Sequence, residues 1–168
     1  MLAQMLLIVA VPAILAIAAG WDVASFTIPN AIPLALSAAF LLFAATSPLT
    51  LSSAGLHIAA GATGLAIGFG LFAAGLVGGG DAKLFAAIVL WLGFGGFVEY
   101  ALWASLFGGG LALAVLALRS LALPAALATQ GWLLRLQDAK SGIPYGVALA
   151  AGALVCLPHA DVYSLLGT

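Results

Sequence analysis

The sequence predicts an all-α, polytopic membrane protein of about six transmembrane helices, with its N-terminus outside. Three observations carry that reading. The 168 residues are 65% hydrophobic and 5% charged, with a mean hydropathy of +1.30, whereas an ordinary soluble domain carries about 25% charged residues. Four Lys and Arg with five Asp and Glu cannot cover the surface of a water-soluble globule of this size, so the surrounding solvent is mostly the lipid bilayer. The apolar residues fall into runs close to the ~20 residues that a helix needs to cross a bilayer. The few cations, finally, sort to one side of those runs.

Net charge is −1, which gives no case for nucleic acid as a partner. Cys156 is the single cysteine and has no disulfide partner in the chain. No Cys/His cluster has metal-ligand spacing, so neither a metal nor another cofactor is expected. Residues 1–168 read as one integral membrane domain.

Span one covers residues 2–20 and ends at Trp21-Asp22. It resembles a secretory signal, but it lacks the Lys/Arg region such signals carry and further spans follow, so it reads as a retained helix. The next segment closes with Ile28-Pro29-Asn30, where proline disfavours helix in the residue before it and opens the helix after it. Span two is 31–46, punctuated by Ser47-Pro48. Span three is 56–77. Its Gly61, Gly64, Gly68, Gly70 and Gly75 read first as close-packing positions between helices in lipid.

A glycine-rich turn follows, Gly78-Gly79-Gly80-Asp81-Ala82-Lys83. After it, residues 84–118 are apolar. One helix of that length would run about 52 Å at 1.5 Å per residue, against a hydrocarbon core of about 30 Å. Gly93, Gly95, Gly96 and the charge of Glu99 therefore divide it into spans four and five. Residues 119–142 form the only sizeable loop, expected to be cytoplasmic. It holds Arg119, Arg135, Asp138 and Lys140, and the part after Pro124 suits an amphipathic interfacial helix with Trp132 at the headgroups. The last span opens at Ile143-Pro144-Tyr145-Gly146 and runs to about residue 158.

With the N-terminus outside, the cytoplasmic segments are 21–30, 78–83 and 119–142. They hold Lys83, Arg119, Arg135 and Lys140, every Lys and Arg in the chain. Glu99, Asp161, His57 and His159 fall on the other side. The same arrangement puts Asp22 and Asp81 at one cytoplasmic face. An acid at the edge of an apolar span is costly and marks function.

Two carboxylates held close share a proton, because like charges cannot both ionise cheaply. One, ionised, takes a proton from water; the other donates a proton to the carbonyl under attack. Asp81 stands near the start of a helix, where the dipole and free N–H groups favour an anion. Asp22 follows the end of one, so the resting proton is assigned to Asp22, with the pair titrating as one unit. The glycines let backbone come close to an extended substrate. Lys83 either steadies the Asp81 anion or holds the headgroup boundary. The bland alternative is a Gly-Gly-Gly turn with an aspartate cap beside it.

These residues resemble a family. Gly78-x-Gly80-Asp81, with Lys83 two residues on, is similar to the GxGD motif of the prepilin peptidases, which are membrane-embedded aspartic proteases. Asp22 with Ile28-Pro29-Asn30 resembles their first motif. Ile143-Pro144-Tyr145-Gly146 resembles the segment that opens the last helix of the small members serving tight-adherence (Flp-type) pili. The three motifs occur in matching order over residues 22–150.

The resemblance implies a peptidase of the bacterial inner membrane that removes the leader of prepilins at the cytoplasmic face, in type IV pilus biogenesis and protein secretion. A prepilin carries a positively charged cytoplasmic leader ahead of a hydrophobic helix. Asp22 and Asp81 carry over as the catalytic pair and Gly78 and Gly80 as motif glycines. Pro144, Tyr145 and Gly146 carry over as residues that shape the site. Two features depart from the family. Ala24-Ser25-Phe26-Thr27 is uncharged where relatives often carry basic residues. The CxxC-bearing N-terminal insert of larger, N-methylating relatives has no counterpart, so the expectation is peptidase activity without zinc and without a case for methylation.

Two rival readings stand beside this one. The first is a small non-enzymatic membrane subunit of a transporter or assembly machine, with its acids in an ion path. Such paths place acids near the midplane, whereas both of these lie at a span edge. The second is a serine–lysine peptidase using Lys83 or Lys140 with Ser25 or Ser141, for which no motif speaks.

Overall fold

The structure is a computed structural model that describes residues 1–121, 129–139 and 141–165. Pro124 and Lys140 lie outside the described residues. The described secondary structure is helical throughout. Three helices are long and apolar enough to cross a membrane by length and composition: α1 (Leu2–Ser25), α3 (Leu51–Ala73) and α4 (Gly79–Arg119). Between and after them lie α2 (Ala31–Thr46), α5 (Gly131–Gln137), α6 (Tyr145–Cys156) and the single turn α7 (Asp161–Ser164).

Local chemistry sets the helix ends. Pro12 lacks an N–H and crowds the turn before it, and that turn, Leu6–Ala10, widens to π geometry. Helix α1 closes on Phe26, which takes the left-handed conformation (φ 56°) with its N–H donated to the Asp22 carbonyl at 2.7 Å. Thr50 caps α3 by accepting the Ser53 N–H at 3.1 Å. Helix α3 stops at Gly75 (φ 73°), where Leu76 N–H reaches the Leu71 carbonyl and Gly75 N–H reaches that of Phe72. This is the paired C-terminal closure that glycine permits.

That closure corrects one expected boundary. Span three ends at Ala73 rather than at 77, and the next helix already begins at Gly79. The segment 78–83 is therefore a helix start, not a turn. Asp22 is likewise inside the last turn of α1 rather than beyond it.

The long apolar run does divide, at Gly93 alone. Gly93 has φ 65° and ψ −173°, a conformation essentially reserved for glycine. Gly95, Gly96 and Glu99 all remain helical. Along one straight helix residues 85 and 100 would stand ~22 Å apart, yet the Phe85 and Tyr100 rings stack at 5.2 Å between centroids. The chain thus folds back at Gly93, and 79–92 lies antiparallel beside 94–119. His57 explains how the break is tolerated. Its ring packs on Gly93, and its Nδ1 lies 2.9 Å from the Leu90 carbonyl, one turn before the break. His57 is buried beside the Phe40 ring, so this histidine is a core residue.

Helix α3 packs antiparallel against 79–92 through its glycines. A Cβ on Gly61, Gly64 or Gly68 would stand 3.0–3.2 Å from Leu90, Val89 or Ala82. Helix α6 runs antiparallel to 94–119 in the same way, with Gly152 against the Ala104 backbone. The core gathers Leu7, Val11, Leu15 and Ala18 from one face of α1, Leu36, Phe40 and Phe43 from α2, and Leu84, Ile88 and Trp91 from α4. The Trp91 indole donates to the Leu36 carbonyl at 2.9 Å. Outward-facing Leu34, Leu102, Leu106 and Leu113 are each more than 60% exposed. So large an apolar surface marks a molecule embedded in lipid.

A smaller cluster, Val115, Leu133 and Leu136 with Phe26 and Ile143, seats α5 against the end of α4. Arg119 ties it down, donating to the carbonyls of Leu136 (2.9 Å), Ser141 (2.8 Å) and Gly142 (3.2 Å). Trp132 of α5 is exposed.

Candidate active site

Asp22 and Asp81 come from opposite kinds of helix end. Asp22 sits in the last turn of α1 and is 4% exposed. Asp81 is the third residue of α4, half-buried, with its carboxylate turned back onto Gly78. The Gly78 backbone is its hydrogen-bond partner, so both the free N–H groups and the dipole of that helix end face the acid. A Cβ on Gly78 would stand 2.8 Å from Asp81 Oδ2.

Ile28 brings the two ends together. It is buried in the connection between α1 and α2, held extended by the proline that follows it. Gly80 rests on its backbone and Cβ, and a Cβ there would stand 3.0–3.3 Å from those atoms. On the other side the Ile28 side chain meets Gly146, whose hypothetical Cβ would stand 2.8 Å from both Ile28 Cδ1 and Asp22 Oδ2. The Gly146 N–H donates to Asp22 Oδ2 at 2.7 Å. That oxygen is an acceptor, so a proton carried by Asp22 sits on Oδ1. Around this one isoleucine, the two carboxylates lie within electrostatic reach of each other.

The remaining expected residues divide. Pro144 precedes α6 and is buried, and Tyr145 opens α6 with its ring against Gly108. Tyr145 lines the same cavity as Asp81, a space of about 470 Å³. Lys83 turns elsewhere. Its Nζ donates to Asn30 Oδ1 at 2.8 Å, at the edge of a separate cavity of about 600 Å³ that contains neither aspartate. The larger cavity is thus not the one that Asp81 lines. Ser25 Oγ is engaged by the Trp21 carbonyl and by Thr27, so Ser25 and Lys83 form no pair. Among the described residues no three His, Cys, Asp or Glu side chains come together as metal ligands.

Several features were not legible in the motifs. The sequence marked Ile28 and Asn30 only as a motif, without showing that one is the wedge and the other the lysine's partner. The Arg119 clamp on the segment leading to Gly146 gave no signal beyond a lone charge. Nor did Tyr100, fully buried, whose hydroxyl has no hydrogen-bond partner among the described residues.

An all-helical fold with an apolar surface and three helices long enough to cross a bilayer defines a class, the integral membrane proteins. The model of the type IV leader peptidase family matches residues 9–113. That is more than half of the chain, and the chain belongs to this family. It is a leader peptidase-type protease with a prepilin-like substrate. The matched region contains Asp22, Ile28 to Asn30 and Gly78 to Lys83 and stops before Gly146. Neither the curated proteins nor the solved structures give a match to the chain.

Proposed function

We propose that the chain is a membrane-embedded aspartic endopeptidase of the GxGD type, acting on prepilins of the Flp, tight-adherence class at the cytoplasmic face of the inner membrane. The whole chain forms one domain of six spans with the N-terminus outside, and 119–142 is its cytoplasmic loop. Asp22 and Asp81 are the catalytic pair. The observation that carries this reading is the packing of Asp22, Gly146, Ile28 and Gly80 into one cluster, which puts the acid of α1 within electrostatic reach of the acid of α4.

Asp81, at a helix start and on the wall of the open cavity, is the base. It takes a proton from water as the water oxygen attacks the carbonyl carbon of the leader peptide bond. Asp22, buried behind it, gives its Oδ1 proton to the carbonyl oxygen. When the tetrahedral intermediate collapses, the C–N bond breaks, the amine takes the proton from Asp81, and a hydroxyl of the intermediate returns one to Asp22. Gly78 and Gly80 keep the Asp81 turn free of side chains. Tyr145 lines the same cavity, Pro144 shapes the start of its helix, and Gly146 fixes the acid. Lys83 anchors Asn30 at the base of α2.

The test is co-expression with a Flp-type prepilin, following leader removal by gel shift. Wild type should process the substrate, and Asp22→Asn and Asp81→Asn should each leave it uncut. Full processing by either variant would sink the dyad. Loss with Lys83→Ala while both aspartate variants remain active would favour a lysine mechanism instead.

A further inference from the structure

The two cavities flank segment 79–92 on opposite sides, and their charges differ in sign. The larger one lies between α2 and α3 with Lys83 and Asn30 at its edge. The smaller one is a trough between α3 and the 94–119 segment, with Asp81 as its charged residue. Its rims, Ile67 and Leu71, are 44% and 40% exposed, so it opens sideways toward lipid. Its floor is made of small residues, among them Ala101, Ala104, Gly108 and Gly109. Small residues let a helix backbone approach closely, a property that a flexible acyl chain does not need.

We infer that this trough is the docking site for the hydrophobic helix of the substrate, with the peptide bond to be cut held at its Asp81 end. The inference rests on the proposed function and supplies the way in that the function requires. The fold-back at Gly93 sets Asp81 level with Ser105 and Gly109, while Phe97 marks the far end. From 97 to 109 is ~18 Å, about three turns of helix. An apolar trough that ends at a carboxylate complements a segment that is apolar along its length and basic just ahead of it. The Lys83 cavity has the opposite polarity. It would set a cation against the basic leader, and it lies on the far side of 79–92 from Asp81. Charge therefore selects the smaller cavity.

Gly109 and Gly110 provide a matched probe. Both are exposed, and a Cβ on either meets nothing within 4 Å, but only Gly109 lines the trough. With full-length protein in membranes and a Flp-type prepilin, Gly109→Trp should raise the substrate level for half-maximal processing by about tenfold or more. Gly110→Trp should process like wild type. As a second measurement, a prepilin with one cysteine in its hydrophobic helix should cross-link oxidatively to Ser105→Cys and not to Ser37→Cys, which lines the other cavity. Native Cys156 is buried and stays out of reach. Equal processing by the two tryptophan variants, or cross-linking at 37 rather than 105, overturns the docking site and leaves the trough to lipid. Failure of wild type to cut the prepilin overturns the proposed activity itself, so the two results are distinct.

Discussion

Replacing Gly146 by alanine should slow catalysis through Asp22 without touching a carboxylate. The new Cβ would stand 2.8 Å from Asp22 Oδ2, 3.1 Å from Asp22 Cβ and 2.8 Å from Ile28 Cδ1. Comfortable carbon contacts need about 3.5 Å, so something must move by roughly 0.7 Å. The tip of Ile28 can turn, but Asp22 can move only by giving up the 2.7 Å bond from Gly146 N–H. As Asp22 gives up its proton this becomes a hydrogen bond to a charged acceptor, worth about 1.5–3 kcal/mol, and at about 1.4 kcal/mol per tenfold its loss is roughly 10- to 150-fold in rate. Gly152→Ala is the control. It presses on the Ala104 backbone at 3.0 Å, where overpacking costs about 1–3 kcal/mol, but it meets neither aspartate. Leader removal in membranes and thermal unfolding in detergent separate the two effects. Both variants should lose comparable stability, and only Gly146→Ala should lose rate by one to two orders of magnitude. Wild-type processing by Gly146→Ala, or equal slowing in both, would refute the argument that Gly146 positions the acid.

Three further outcomes follow from the packing. Gly93→Ala forces a side chain into a backbone conformation that costs about 1–3 kcal/mol and sets a Cβ 3.0 Å from His57. Its melting temperature should fall by several degrees, and adding His57→Ala should fail to restore it, because the backbone share persists. Tyr100→Phe removes a buried hydroxyl that has no partner among the described residues, a burden of about 1–3 kcal/mol. The variant should melt higher and process normally, and a lower melting point would reveal an unseen partner for the hydroxyl. Arg119→Ala frees the carbonyls of Leu136, Ser141 and Gly142. Proteolysis within 131–142 should accelerate by about tenfold or more, since opening of that segment loses charge-assisted bonds; an unchanged cleavage rate would count against the clamp.

The helical class was legible because it depends on composition and run length, which do not require knowing what touches what. The bounds of the second helix, 31–46, matched to the residue because proline and serine bracket it. The division of the long apolar run was legible as a need, since no single helix of that length fits a bilayer, but not as a place. Three glycines and a glutamate were all candidates, and the sequence cannot show that His57, far away in the chain, would pack on one of them and reach the Leu90 carbonyl beside it. The boundary near the GxGD segment moved for a similar reason. Apolar character continues through Leu76 and Val77, while the helix ends where Gly75 can take a positive φ.

The sequence by itself determined that the protein lives in lipid, that it is helical, and that Asp22 and Asp81 are its expensive residues, because each of these follows from composition and order along the chain. Only the tertiary structure decided how those acids are held. Ile28 lies between glycines from two other helices, Gly146 gives its N–H to one oxygen of Asp22, and Lys83 belongs to Asn30 rather than to Asp81. Contacts of this kind depend on helix register and close backbone approach between distant segments. A motif records that a glycine stands at a position; only the packed helices show which atom it makes room for.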